Sequence, residues 1–306
     1  MKKNVIVTKT IIHIVFLFII SIGSTSWAAK PIKVFVSIMP QKYFVQKIGK
    51  DLVTVDVMVQ PGASPATYEP RPGQMKALSR ARAYFAIGVP FEKAWLKKIA
   101  ASNPDMMVVH TDHGIQKVPM AVQHHRRRGY RREIEQGHDG RREQGILDPH
   151  IWTSPPLVLK QAGVILAALE NIDPEHGAAY EDNYKTFESE IMKLDAEFRN
   201  SLAGRRGLQF MVFHPAWGYF ARTYGLKQVP IEIEGKDPKP AQLKGLIDQA
   251  RADNIRVIFV QPQFSSKSAG LIAKAIGGQV AFVDPLALNW PENLREAAGK
   301  FKAALR

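Results

Sequence analysis

Short runs of β-branched and aromatic residues at 33–37, 53–59, 83–88 and 107–110 alternate with stretches whose apolar positions recur every three or four residues, at 41–49, 74–80 and 91–101. The runs read as strands buried on both faces, because a strand inside a parallel sheet meets helices on either side and has no polar face to show. The intervening stretches read as amphipathic helices. The alternation returns after residue 205, with strands expected near 209–213, 228–232, 256–260 and 279–283 and helices near 216–224, 240–253, 265–276 and 291–305. Strand and helix in repeated succession imply a parallel sheet covered by helices. The fold class expected is α/β, with two lobes, each a parallel sheet flanked by helices.

Between the two patterns, 155–170 and 174–202 are strongly helical, with Tyr180, Tyr184, Phe187, Ile191, Leu194 and Phe198 on one face. Asp173-Pro174 marks a break, since proline suits a helix's first turn and the aspartate before it can cap. A helix of that length spans about 40 Å at 1.5 Å per residue, long enough to run along both lobes and stiffen their junction. Its aromatic stripe reads as packing surface. The domain plan expected is an N-terminal lobe over 29–173 with a variable polar loop at 118–146, a linking helix over 174–205 and a C-terminal lobe over 206–306.

Residues 1–28 have a different character. A lysine-bearing start, an apolar run from Ile11 to Ile20 and the string Ser26-Trp27-Ala28 together fit a cleavable export signal. The apolar run is short for a membrane anchor, which needs about 20 residues. A soluble periplasmic protein is the expectation, and no cysteine near the cleavage point offers a lipid attachment.

The chain contains no cysteine at all, which removes disulfides, thiolate metal sites and cysteine nucleophiles. Setting aside Lys2, Lys3 and Lys9 takes the net charge from +14 to +11, an excess that favours an anionic surface or partner. Nucleic acid does not fit an exported chain that lacks helix-turn-helix, RNA-binding or zinc-finger signatures. Much of the arginine falls in one segment, Arg126-Arg127-Arg128 through Arg141-Arg142, interleaved with Glu133, Glu135, Asp139 and Glu143, which reads as a solvated loop.

Three strings carry candidate chemistry: Asp148-Pro149-His150-Ile151-Trp152, Phe213-His214-Pro215-Ala216-Trp217 and Val283-Asp284-Pro285-Leu286. Each sets a potential ligand beside proline where an apolar stretch gives way to a loop, and in open α/β sheets ligands gather outside the carboxyl ends of strands. His150, His214 and Asp284 would supply the mixed nitrogen and oxygen set that suits zinc. The other histidines have simpler readings. His110 and His113 flank Thr111-Asp112, which would serve as a helix cap; His176 falls in the first turn of the linking helix; His124, His125 and His138 sit among repelling arginines.

These strings, with Pro61-Gly62-Ala63-Ser64-Pro65-Ala66-Thr67-Tyr68-Glu69-Pro70, Glu232-Ile233-Glu234-Gly235-Lys236 and Gln261-Pro262-Gln263-Phe264, resemble those of the periplasmic metal-binding components of ABC importers for zinc and manganese, the cluster A-I family. The resemblance runs from about residue 33 to the C-terminus. It implies two lobes joined by one long helix, a metal between them, and a variable loop, often histidine-rich, before the Asp-Pro-His string. It also implies high-affinity capture of a divalent transition ion, zinc first and manganese or iron as alternatives, and delivery to an ABC permease. Family members usually carry a metal histidine where this chain has Ala66, and often a glutamate where it has Gln261. The ligands carried over are therefore His150, His214 and Asp284, leaving a position open to water, to an oxygen of Thr67 or Glu69, or to a loop histidine.

Three ligands and an open position are also the pattern of catalytic zinc. A hydrolase lacks support elsewhere, since the chain carries no His-Glu-x-x-His helix, Gly-x-Ser-x-Gly elbow or Walker loop. A monomeric carrier that is not an enzyme is the expectation. A surface adhesin or metal-independent receptor on the same scaffold is the alternative.

Overall fold

The computed structural model describes residues 30–121, 146–233 and 235–305. Residues 1–29, where an export signal is expected, and 122–145, most of the expected polar loop with its arginines and His124, His125 and His138, lie outside the described residues, as does Glu234. The first sheet holds β1 (Ile32–Val36), β2 (Val53–Val57), β3 (Ala83–Ala86) and β4 (Met107–His110) in the order β2-β1-β3-β4. The second holds β5 (Gln209–Val212), β6 (Lys227–Pro230), β7 (Val257–Val260) and β8 (Gln279–Phe282) in the order β6-β5-β7-β8. Every pairing is parallel, from Ile32 opposite Val53 to Val257 opposite Gln279. The two lobes thus repeat one strand order, and each has a switch point beside its first strand, where connections leave toward opposite faces and a crevice opens.

Helices α1 (Met39–Gly49), α2 (Pro72–Leu78) and α3 (Pro90–Ala101) belong to the first lobe, and α6 (Gly218–Thr223), α7 (Pro240–Ala252), α8 (Lys267–Ala275) and α9 (Trp290–Ala304) follow the linking region. That region is α4 (Pro155–Ile172), a 3-10 turn at Pro174–His176, and α5 (Gly177–Ser201). The 25 residues of α5 span about 37 Å. Its stripe connects the lobes: Phe187 meets Phe44 of α1 at 6.0 Å and Phe198 meets Phe220 of α6 at 5.7 Å. At the break, Asp173 does not cap with its side chain. Its carboxylate instead accepts from Tyr180 Oη at 2.6 Å and pairs with His176 Nδ1 at 2.9 Å, because both groups approach from the first turns that follow.

One continuous core runs through the first lobe, α4, α5 and α9 into the second sheet, where it takes Phe210, Val212 and Phe259. The opposite face of that sheet places Met211, Phe213, Ile258 and Val260 in a separate cluster against α7 and α8. This division follows from side chains alternating along a strand. Two tryptophans fasten the lobes beside the crevice: Trp152 Nε1 donates to the Pro285 carbonyl at 2.7 Å, and Trp290 Nε1 donates to the Trp152 carbonyl at 2.8 Å.

Thr111 and Asp112 are not a helix cap, since residues 111–114 form a turn. Thr111 Oγ1 donates to the Ala86 carbonyl at 2.8 Å and accepts from Gln41, while Asp112 pairs with Lys117 at 2.5 Å. Gly88, at φ 84°, closes β3 beside this pair, and a side chain there would collide with both partners.

Candidate metal centre

His150 stands immediately before a 3-10 turn at Ile151–Thr153 and is only 8% exposed. Asp148 holds it in place. Asp148 Oδ1 lies 2.9 Å from the His150 backbone N–H and 2.7 Å from its ring Nδ1. With Nδ1 donating to the carboxylate, the proton is drawn to that nitrogen and Nε2 turns a lone pair toward the crevice. Burial lowers the pKa of the ring from its ordinary value; His214 adds to this, and Asp148 and Glu232 oppose it without reversing it. Asp148 is buried in turn, its carbonyl accepting from Tyr219 Oη at 3.0 Å. Gly218 makes room, because a Cβ there would stand 2.7 Å from Asp148 Oδ2.

His214 emerges just past β5, at the switch point of the second sheet. The buried side chain of Gln261, past β7, accepts from the His214 N–H at 3.1 Å and donates to the His214 carbonyl at 2.6 Å. The ring stacks on Phe264 at 4.9 Å and 22°. Its Nδ1 lies 2.9 Å from Glu232 Oε1, close enough for an ion pair yet outside hydrogen-bond alignment, so Nδ1 and Glu232 Oε2 are both buried without a hydrogen-bond partner.

The two Nε2 atoms face each other at 3.3 Å. Two lone pairs at that distance repel unless a proton or cation lies between them. Tetrahedral zinc with Zn–N distances of about 2.0–2.1 Å sets two imidazole nitrogens about 3.3 Å apart, so the donors present fit one edge of such a site. Carboxylates behind both rings are the usual outer support of metal-bound histidines.

Asp284 is not beside the pair. Its Oδ1 accepts from Gln263 Nε2 at 3.0 Å and from the Leu286 N–H at 2.9 Å, and it lines an adjoining cavity of about 250 Å³. Gln263 and Leu286 border both that cavity and the histidine cavity. Among the described residues, no group of three or more His, Cys, Asp or Glu side chains is gathered as a metal cage. Ala66 does line the histidine cavity, whereas Thr67 and Glu69 are exposed and do not. His110, the last residue of β4, and His113, on the turn after it, are exposed, and half-buried His176 is taken by Asp173.

Sequence reasoning found the two imidazoles but not what orients them. Asp148 was visible two residues before His150, a spacing that lets an aspartate bond its own backbone two residues on. The contacts of Glu232 and Gln261 with His214 depend on three separate strand ends meeting and had no local signal.

The profile of the family described as "ZnuA: Zinc-uptake complex component A periplasmic" matches residues 34–304. The chain is 27% identical over 268 residues to the high-affinity zinc uptake system protein ZnuA of Bacillus subtilis (strain 168), covering 86% of this chain and 81% of that one. It is 29% identical over 272 residues to the iron-binding protein YfeA of Yersinia pestis, with the same coverage of 86% and 81%. It also matches the zinc-binding protein AdcA of Streptococcus pyogenes serotype M3 at 24% identity, spanning 56% of that protein's length. Among solved structures, a crystal structure of ZnuA superposes with a TM-score of 0.81 at 41% identity, covering 90% of this chain and 100% of the other. No helix among the described residues is long and apolar enough to cross a membrane. From the profile match over most of its length, the chain belongs to the ZnuA family of periplasmic zinc-uptake binding proteins.

Proposed function

We propose that this protein captures a divalent transition ion, zinc before manganese or iron, between His150 and His214, and delivers it to an ABC permease. One observation carries the reading: two imidazoles, one buried and one half-buried and each backed by a carboxylate, face one another through Nε2 at 3.3 Å. Their donor set suits zinc, and the names of the zinc uptake protein of B. subtilis and the iron-binding protein of Y. pestis support a transition ion as cargo. Asp284 is proposed as a third ligand through its Oδ2, which takes no part in the bonds that hold Oδ1. Ala66 is read as standing where relatives carry another histidine.

The chain acts in the periplasm as a monomeric carrier after removal of residues 1–28, with no nucleic-acid partner. It is read as a transport component and not as an enzyme. Membership in a zinc-uptake family does not favour the adhesin alternative. Calorimetry on metal-stripped protein tests the reading: zinc uptake with one ion per chain is expected, and His214→Ala should abolish most of it. Metal-stripped protein that takes up neither zinc nor manganese would defeat the proposal.

A further inference from the structure

The cavity beside the two histidines is larger and more apolar than a bare ion requires. It measures about 380 Å³. A cavity for one water needs on the order of 10–15 Å³, and pockets for organic ligands run from about 300 to 1,000 Å³. The wall around the imidazoles is mostly hydrocarbon, from Ala66, Val89, Pro90, Met120, Phe264 and Leu286, with Ser64, Glu232 and Gln263 as its polar exceptions, and so offers few hydrogen-bond partners to the waters of a hydrated ion.

The donor count has the same imbalance. A tetrahedral ion on both Nε2 atoms has two further positions to fill. The cavity wall presents a methyl group at Ala66, the Glu232 carboxylate stands behind the His214 ring at its Nδ1, and the Asp284 carboxylate is tied into the adjoining cavity through Gln263 and Leu286. Even if Oδ2 of Asp284 swings in, one position remains open. Phe264, stacked on His214 at 4.9 Å, adds an aromatic ring to the wall directly behind one ligand ring.

We propose that the cavity accepts the ion as a chelate: a transition ion held by His150 and His214 and, on its remaining positions, by a small bidentate organic ligand whose flat apolar body fills the void. The inference rests on the zinc reading above and adds the class of molecule that accompanies the metal. Nitrogen and oxygen donors of the chelator complete the coordination, with any hydroxyl proton lost to solvent as its oxygen binds. The carbon skeleton meets the apolar wall and displaces water that the wall cannot satisfy.

The probe is 8-hydroxyquinoline, a planar bidentate ligand, added to full-length mature protein that is metal-free or zinc-loaded. Native mass spectrometry and calorimetry read the complex. A 1:1:1 assembly of protein, zinc and 8-quinolinolate is expected, with no chelator bound to metal-free protein. Met120→Trp, which fills the void without touching a histidine, should weaken chelator binding about tenfold, about 1.4 kcal/mol, and leave binding of zinc alone within about threefold. Ala121→Phe, at a half-buried position on the same wall, should weaken chelator binding likewise and serves if the tryptophan variant folds poorly. If zinc binds but the chelator strips it away or ignores it, the chelate inference fails and zinc capture stands. If the zinc chelate binds and zinc alone does not, the chelate inference stands and the bare-ion reading falls. Absence of binding by either overturns both.

Discussion

Gln261 grips the backbone of His214 at two points, accepting from its N–H at 3.1 Å and donating to its carbonyl at 2.6 Å. A primary amide can do both, whereas a glutamate carboxylate could only accept. The residue that departs from the family resemblance therefore fixes the position of a proposed ligand. Gln261→Ala leaves a buried donor and acceptor unpaired and is expected to lower unfolding free energy by about 1–3 kcal/mol. Zinc affinity should fall with it. Denaturant titration and calorimetry read the two effects, and unchanged values in both would show that the grip is dispensable.

Asp148 sets which nitrogen of His150 faces the crevice. In Asp148→Asn an amide N–H can point at Nδ1, which moves the ring proton to Nε2 and blocks the lone pair. Loss of such a supporting group typically costs about 10–100-fold in metal affinity. That loss is expected here, and an affinity within twofold of the unaltered protein would exclude a tautomer-setting role.

Burial lowers the pKa of His150, so the folded ring stays neutral to lower pH than an unfolded one, whose pKa is about 6.5. Below that value the unfolded chain binds the extra proton first, and the contribution of His150 to stability falls as pH decreases toward its folded pKa. Zinc affinity should hold between about pH 7 and 8 and decline only as acidification below about 6.5 approaches the lowered pKa of the folded His150 ring, where neutral imidazole is lost. Calorimetry across that range checks this. An affinity that rises on acidification would rule out imidazole ligation.

Ala66 borders the same cavity as His150 and His214. Ala66→His is expected to add an imidazole to the pair and tighten zinc binding by at least about tenfold, or 1.4 kcal/mol. Competition against a chromogenic zinc chelator measures it, and equal or weaker affinity would place residue 66 outside the coordination sphere.

The α/β plan was legible because β1 and β3, like β5 and β7, are nearly all apolar and the helices between them keep a helical period. Loop details were less so. Thr111-Asp112 resembles a cap in any local reading, yet Lys117 and the strand carbonyl at Ala86 claim those side chains. His150 and His214 stood out as candidate ligands because histidine beside proline and aromatics at a strand end is unusual. The place of Asp284 was not legible: its carboxylate answers to Gln263 and Leu286, a choice made by loop geometry and not by residue type.

The continuous core and the paired tryptophan bonds have a thermodynamic consequence. Neither lobe has a complete interior of its own, because Trp290 of the C-terminal helix packs at 5.2 Å on Phe44 beneath the first sheet. Unfolding either lobe strips apolar surface from the other. Heat should therefore dissolve both sheets in one cooperative transition, and an ion held between them stabilises the whole chain as a unit.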